Sequence, residues 1–401
     1  MVLSLPLLGA VPASAQLAAC PRFEPASTGL PARGEWRTHP ALGDVDGDGH
    51  LDIAAHPRKL RGPQVYRGDG KGSWSPASHG LAIPGTGCGV GVDLADVNGD
   101  GHLDLGVADH CKGIYVFLGD GAGSWRLAQL VHAQDRRGFE DLVFADLDRD
   151  GHTDIVGAST FRGGIAFLAG DGKGHFAKRD VGLPGGGYAK DVKLGDINGD
   201  GQLDVAAAYS GGIDSPETPP QAHRNVVWLS GKDGRYVRGS NGLPDDEHGQ
   251  FRHVALGDVD GDGHLDLALS ATYAPGRAPL LAYRGDGEGN WQPRVEGLPP
   301  VPPGPKAFTA YGGIDLGDVD GDGHVDLVAH GYDDARVSLF LGDGTGSWRA
   351  CSDTGLPQPG QREGLRGWGI SIRDVDADGK ADLVLAFGRS GLGGLEVWRQ
   401  R

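Results

Sequence analysis

Sulfur, basic charge and long apolar runs are all scarce in this chain. Only one Met and four Cys occur in 401 residues, and no two Cys have Cys-x-x-Cys spacing. A zinc ribbon or a thioredoxin-like motif is therefore without support. No run of 18 apolar residues follows residue 20, so no helical membrane span is expected beyond the N-terminus. Lys and Arg number 37 against 54 Asp and Glu, a net charge of -17. A field of that sign repels phosphate backbones, so nucleic acid is not an expected partner. No segment sustains a 3.6-residue apolar period, and 72 Gly with 25 Pro disfavour long helices. Also missing are a Gly-x-Ser-x-Gly elbow, a His-Glu-x-x-His helix and a phosphate loop, so no familiar catalytic signature points to an enzyme.

What the chain does have begins with an apolar leader. Met1 to Ala15 end on Ala13-Ser14-Ala15, the pattern of a secretory signal, although no basic residue precedes Arg22. Residues 1–20 are assigned to that signal. Cleavage after Ala15 would release a secreted protein. Cleavage before Cys20, in Leu17-Ala18-Ala19-Cys20, would leave a lipid anchor on Cys20 as the sole membrane attachment. Either route places the protein outside the cell or in its envelope; the alternative is an apolar N-terminal tail on a cytosolic protein.

The decisive feature is repetition. The string Asp-x-[Asp/Asn]-x-Asp-Gly-x-x-Asp occurs seven times, beginning at Asp44, Asp96, Asp146, Asp196, Asp258, Asp318 and Asp374. The intervals run from 50 to 62 residues. An apolar stretch of strand length follows each copy, as in Leu265-Asp266-Leu267-Ala268-Leu269. A second strand comes next, then a Gly-Asp-Gly-x-Gly type turn capped by an aromatic such as Trp74, Trp125 or Phe176. A short outer strand closes the unit. Four strands in about 50 residues is the arithmetic of a β-propeller blade. The seventh unit stops at Trp398 without its outer strand, while Phe23–Pro31 forms an orphan one at the other end. The expected fold is all-β: a single seven-bladed propeller over residues 21–401, with four-stranded antiparallel blades and the N-terminal strand completing the last. Such closure removes exposed sheet edges.

With these Asp loops and Gly-Asp-Gly turns, the chain resembles the FG-GAP/VCBS repeat family, an integrin-alpha-like calcium-binding propeller. The resemblance implies the fold and calcium. It does not specify a ligand, because the family spans adhesion receptors, lectins and propeller appendages of enzymes.

The loop chemistry argues for calcium independently. Positions 1, 3, 5 and 9 of the nine-residue string supply hard oxygen donors, and Gly at position 6 permits the reversal, in the order of an EF-hand loop. The expected ligands are Asp44, Asp46, Asp48 and Asp52 in the first loop, then Asp96, Asn98, Asp100 and Asp104. Asp146, Asp148, Asp150 and Asp154 form the third, and Asp196, Asn198, Asp200 and Asp204 the fourth. The rest are Asp258, Asp260, Asp262 and Asp266; Asp318, Asp320, Asp322 and Asp326; and Asp374, Asp376, Asp378 and Asp382. Carboxylates without His or Cys suit calcium, with magnesium as runner-up. Up to seven Ca2+ are expected, and they would bring -17 to about -3. The Asn-containing loops should bind more weakly. The alternative is that these residues only make Asx-turns. His at position 7 (His50, His102, His152, His264, His324) is read as solvent-facing.

Four cysteines suit an exported protein. Cys88 and Cys111 flank the second loop and are expected to pair. Cys20 pairs with Cys351 or is lipidated, and the sequence leaves this open.

Ligand recognition is expected on the face opposite the Asp loops. Six repeats carry an aromatic shortly before the first Asp: Trp36, Phe139, Tyr188, Phe251, Tyr311 and Trp368. Polar neighbours include Arg37, Glu140, Lys190, Arg252 and Arg366. These would suit sugar faces or peptide side chains; alternatively, the rings start inner strands and pack between blades. The insertion 210–225 and the Pro-rich 299–313 form a second candidate surface. The expected function is a lectin-like or adhesion module for a glycan or protein. The rivals are a polysaccharide lyase or hydrolase using Tyr188, Lys190, Arg252, His253 or Tyr311, and a scaffold for a protein partner.

Overall fold

Frequent Gly-containing turns and short apolar runs leave the chain one economical solution, the antiparallel meander. The computed structural model describes residues 19–401 apart from 38, 59–61, 85–86, 133–137, 161–162, 184, 211–225, 245–248, 275 and 305–308. It contains seven four-stranded sheets and, among the described residues, no helix. Blade 1 comprises Ala41–Gly43, Asp52–Ala55, Gln64–Gly68 and Trp74–Pro76. The first strands of blades 2 to 6 are Gly89–Ala95, Phe139–Ala145, Ala189–Gly195, Gln250–Gly257 and Tyr311–Gly317. Blade 7 takes Gly367–Arg373, Asp382–Arg389 and Leu392–Gln400, and its fourth strand is Phe23–Pro25. Phe23 pairs with Gln400, Glu24 with Arg399 and Pro25 with Trp398, so the N-terminal strand closes the ring as expected.

Cores lie between blades rather than within one large centre. Each second strand is buried on both faces, as in Asp104–Asp109 and Asp204–Tyr209, and its residues divide between the clusters on either side. Ile53 and Ala55 join the core shared with blade 7, whereas Ala54 joins the one shared with blade 2. This follows from the period-2 alternation of strand side chains.

Two polar fasteners recur between blades. At the outside, the turn-capping tryptophan donates its indole N–H to the preceding blade's outer strand. Trp74 reaches Ala26 O at 2.9 Å, Trp125 reaches Ala77 O at 2.8 Å and Trp291 reaches Gly239 O at 2.7 Å. At the inside, a carboxylate on one first strand accepts an N–H from the next. Asp93 takes Phe144 N at 2.8 Å, Asp191 takes Val254 N at 2.8 Å and Asp315 takes Ile372 N at 2.9 Å. Gly80 shows how tight the outer joint is. Its φ is 90°, and a Cβ there would stand 1.9 Å from Trp125 O.

Both disulfides form. Cys88 and Cys111 have Cα atoms 5.7 Å apart, and Cys20 and Cys351 are 5.6 Å apart. The second bond ties the N-terminal strand to the outer strand of blade 6 (Trp348–Ala350), and it uses the sulfur that a lipid anchor on Cys20 would need.

Candidate functional site

The ring has two unlike faces. Every Asp loop joins a blade's first strand to its second, so all seven loops lie at one face. The starts of the first strands and the ends of the second lie at the other.

On the Asp-loop face, position 1 organises the turn. Asp44 accepts N–H bonds from Gly47 at 2.7 Å, Asp48 at 3.1 Å and Gly49 at 2.9 Å. The Asp258 loop repeats this pattern with Gly261, Asp262 and Gly263. Position 9 is different: it is fully buried and bridges two segments. Asp52 accepts from Val45 N at 2.8 Å and from Gly68 N, on the third strand, at 2.9 Å. Asp326 does the same with Val319 at 2.8 Å and Gly342 at 2.9 Å. Burial pushes Asp52, Asp104, Asp266 and Asp382 up to about 6 and Asp326 to about 7, against the pull of those two N–H groups.

Position 3 tests whether a cation fits. One oxygen each of Asp46, Asp260, Asp320 and Asp376 is buried without a hydrogen-bond partner. An orphaned carboxylate oxygen beside two further carboxylates is an expensive arrangement that a hard cation would relieve. Oxygens of Asp44, Asp46 and Asp48 lie within 4.8 Å of one another, as do those of Asp258, Asp260 and Asp262. Where position 3 is Asn, the loop partly satisfies itself: Asn98 donates to Asp100 at 2.8 Å and Asn198 to Asp200 at 3.4 Å. The sequence reading missed a regularity here. Arg67, Arg284 and Arg399 reach Asp46 at 3.1 Å, Asp260 at 2.9 Å and Asp376 at 3.0 Å. Each stands on the third strand, and Arg67 and Arg284 directly precede the Gly-Asp-Gly turn, which was the available signal. Position-7 histidines lie against that turn rather than facing water alone; a Cβ on Gly70 would come 2.5 Å from His50 Nδ1.

On the opposite face, all six candidate aromatics are buried, from 1% exposure at Trp36 to 6% at Phe251. They are not an open platform. Phe139, Phe251 and Tyr311 belong to cores between blades. Tyr188 and Trp368, however, line a cavity of about 110 Å³ at the channel mouth, together with Arg37, Arg58, His110, Glu140, Lys190, Arg252, Tyr332 and Arg366. The sequence pointed to five of these eight, Arg37, Glu140, Lys190, Arg252 and Arg366, through the aromatics at or just before the first strands. Arg58, His110 and Tyr332 come from just beyond the second strands and carry no local motif.

One side of this mouth is charge-balanced. Lys190 Nζ lies 3.1 Å and His110 Nδ1 2.8 Å from Glu140 Oε1, to which Tyr188 also donates its O–H. Burial alone would raise the Glu140 carboxyl, but Lys190 and His110 hold it well below the usual range. Burial brings Lys190 down to about 8, and burial with Glu140 raises the Tyr188 phenol, keeping it protonated. The other side is cationic. Arg37 and Arg252 stack on Trp368 at 4.4 and 4.5 Å, and Arg366 stands 4.6 Å from the Tyr332 ring. Arg37 is paired with Glu35 at 2.7 Å.

Below the mouth the channel is plugged. His39 of blade 1 meets His253 of blade 5 across the axis at 2.6 Å. Ligand atoms of His39, Asp191 and His253 lie within 4.8 Å of one another. They are already engaged, since His39 Nδ1 bonds Ile370 O at 3.0 Å and Lys193 sits 3.1 Å from Asp191. Burial lowers both histidines and so disfavours their charged forms. Burial and the nearby Asp191 raise Asp141. A larger cavity, about 470 Å³, lies between blades 3 and 4 beside the third Asp loop. Four of its charges are paired, Arg179 with Asp148 at 2.5 Å and Arg235 with Asp180 at 3.8 Å. The 210–225 insertion lies outside the described residues except for Ser210, as does 305–308 of the Pro-rich segment.

A family model described as FG-GAP-like repeat matches residues 59–107, 96–157, 146–207 and 318–385, and a second, FG-GAP repeat, matches 251–288. The chain belongs to the FG-GAP-like repeat family. No curated protein sequence matches it closely enough to count as a relative. Among solved structures, it is similar to a lectin from Agrocybe aegerita that recognises non-reducing terminal N-acetylglucosamine. That match has 20% identity and a TM-score of 0.51, covering 79% of this chain and 80% of that one. It is also similar to BBS1N, solved in complex with ARL6DN, at 12% identity and a TM-score of 0.55, covering 95% and 97%. At such identities the likeness is one of fold alone.

Proposed function

We propose that this FG-GAP propeller is an exported, calcium-stabilised binding module that recognises an extracellular glycan or protein through the face opposite its Asp loops. The observation that carries the reading is the channel mouth. There, stacked guanidiniums surround aromatic rings at a cavity, on a face that contributes nothing to the repeated loop chemistry. Stability belongs to the other face. The orphaned position-3 oxygens support calcium, which would be held by the carboxylates at positions 1, 3 and 5 with the buried position-9 carboxylate beneath them. Bound calcium would supply charge neutralisation and cross-link each loop. The two disulfides favour an oxidising compartment. A propeller of this fold serves as a lectin in Agrocybe aegerita, which favours glycan over protein.

A glycan array probed in millimolar calcium and again in EGTA tests the reading. Binding in calcium, lost on chelation together with the fold, is expected. Absence of any glycan hit together with no captured protein would contradict it. The second reading is an enzyme acting on polysaccharide. It draws on the Glu140–His110–Tyr188–Lys190 cluster in the same cavity, although a phenol held protonated argues against Tyr188 as a base. Product analysis after incubation with any array hit separates the two; turnover would replace the binding-only account.

A further inference from the structure

We infer that the channel mouth binds its ligand by an oxyanion, a carboxylate or sulfate carried on an acidic saccharide. This rests on the glycan reading above and names the chemistry of that site.

The argument is one of local charge against global charge. The whole chain carries -17, yet Arg37, Arg58, Lys190, Arg252 and Arg366 converge on one small cavity. Two of the five are answered locally: Arg37 by Glu35 at 2.7 Å and Lys190 by Glu140 at 3.1 Å. For Arg252 and Arg366, no carboxylate lies within ion-pair distance among the described residues. What they have instead is ring faces. Arg252 stands 4.5 Å from the Trp368 centroid and 5.6 Å from Tyr332, and Arg366 stands 4.6 Å from Tyr332 and 5.9 Å from Trp368. The Arg366 Nε is buried with no hydrogen-bond acceptor.

Several guanidiniums held over the same two rings repel one another, and stacking leaves their in-plane N–H donors unused. Rings orient a guanidinium without consuming its hydrogen bonds, which presents a preformed fork to an incoming oxyanion. A buried unsatisfied donor in that fork is a standing cost that a ligand oxygen would remove. The plug formed by His39 and His253 blocks the channel below, so the ligand enters end-on. A cavity of about 110 Å³ admits a charged group and part of one sugar ring rather than a threaded chain. The global negative field disfavours long polyanions and leaves a terminal anionic group as the fitting guest.

The test uses the full chain in saturating calcium and three tetrasaccharide probes measured by calorimetry. They are tetragalacturonate, its methyl ester, and a carrageenan tetrasaccharide that carries sulfate and no carboxylate. At least one of the two anionic probes should bind at least about 10-fold more tightly than the ester, weakening as salt rises. Which one binds distinguishes carboxylate from sulfate. Arg252→Gln and Arg366→Gln should each lose at least about 10-fold for that probe while the melting temperature in calcium stays unchanged. Neither anionic probe outbinding the ester, or variants that bind like the wild type, would overturn the inference. So would failure of both anionic probes to bind. A neutral hit on the array that survives in both variants would leave the glycan reading standing while the oxyanion falls.

Discussion

The two faces of this ring are built on opposite rules. The Asp-loop face repeats one local motif seven times, and each copy is complete within nine residues and one neighbouring strand. The mouth is assembled once, from single residues contributed by most of the blades, with Arg37 and Arg366 more than 300 positions apart in the chain. Repetition marks what every blade needs to fold. Singularity marks what the ring as a whole can do. The charge follows the same division, acidic where the motif recurs and cationic where it does not.

The largest effect should come from stripping the repeated face. Chelation with EGTA should lower the melting temperature by at least about 10 °C, since several sites each contribute through mass action. The mouth variants should show the same drop. A smaller effect separates positions within one loop. Asp326→Ala removes an acceptor from the Val319 and Gly342 N–H groups and should cost about 2–4 kcal/mol even without calcium, measured by urea unfolding. Asp322→Asn, at an exposed position, should cost under about 0.5 kcal/mol in the same chelated buffer.

Acid should act on the other face. His56 and His330 end second strands, are fully buried, and burial lowers both to about 4. Between about 6.5 and 4 the unfolded chain takes up protons that the native one refuses. Their contribution is therefore fully present above about 6.5 and is lost as pH falls, by roughly 1.4 kcal/mol per unit for each histidine. Thermal melts across that range should give a shallower slope for His330→Gln than for the wild type; equal slopes would remove the histidine from the account. The exposed arginines over position 3 should also matter little. Arg67→Ala breaks a partly solvated pair with Asp46 and should shift calcium-loaded stability by less than about 1 kcal/mol.

The fold was legible because its signals are local and recur. The seven Asp loops, the Gly-Asp-Gly turns and the orphan strand Phe23–Pro25 determined the number of blades and how the ring closes. The double role of position 9 was not legible, since its second donor arrives from the third strand, 16 residues away at Gly68 for Asp52. At the mouth, Arg37, Glu140, Lys190, Arg252 and Arg366, at or just before the first strands, stood out beside their aromatics. Arg58, His110 and Tyr332 did not, because only the closed ring brings second-strand ends to the same rim. The aromatics themselves were visible but their depth was not: burial depends on the neighbouring blade, which sequence spacing does not report. Cys20 was likewise undetermined until the outer strands of blades 6 and 7 placed it beside Cys351.

The most direct test of the central claim, that cations on the acidic face hold the ring together, is a count. The full chain should be dialysed against millimolar calcium, its bound metal measured by atomic emission, and the count repeated after EGTA treatment. At least four Ca2+ per chain are expected, matching the loops whose position-3 oxygen is buried and unpartnered, and none after chelation. Fewer than one ion per chain in millimolar calcium would contradict the account.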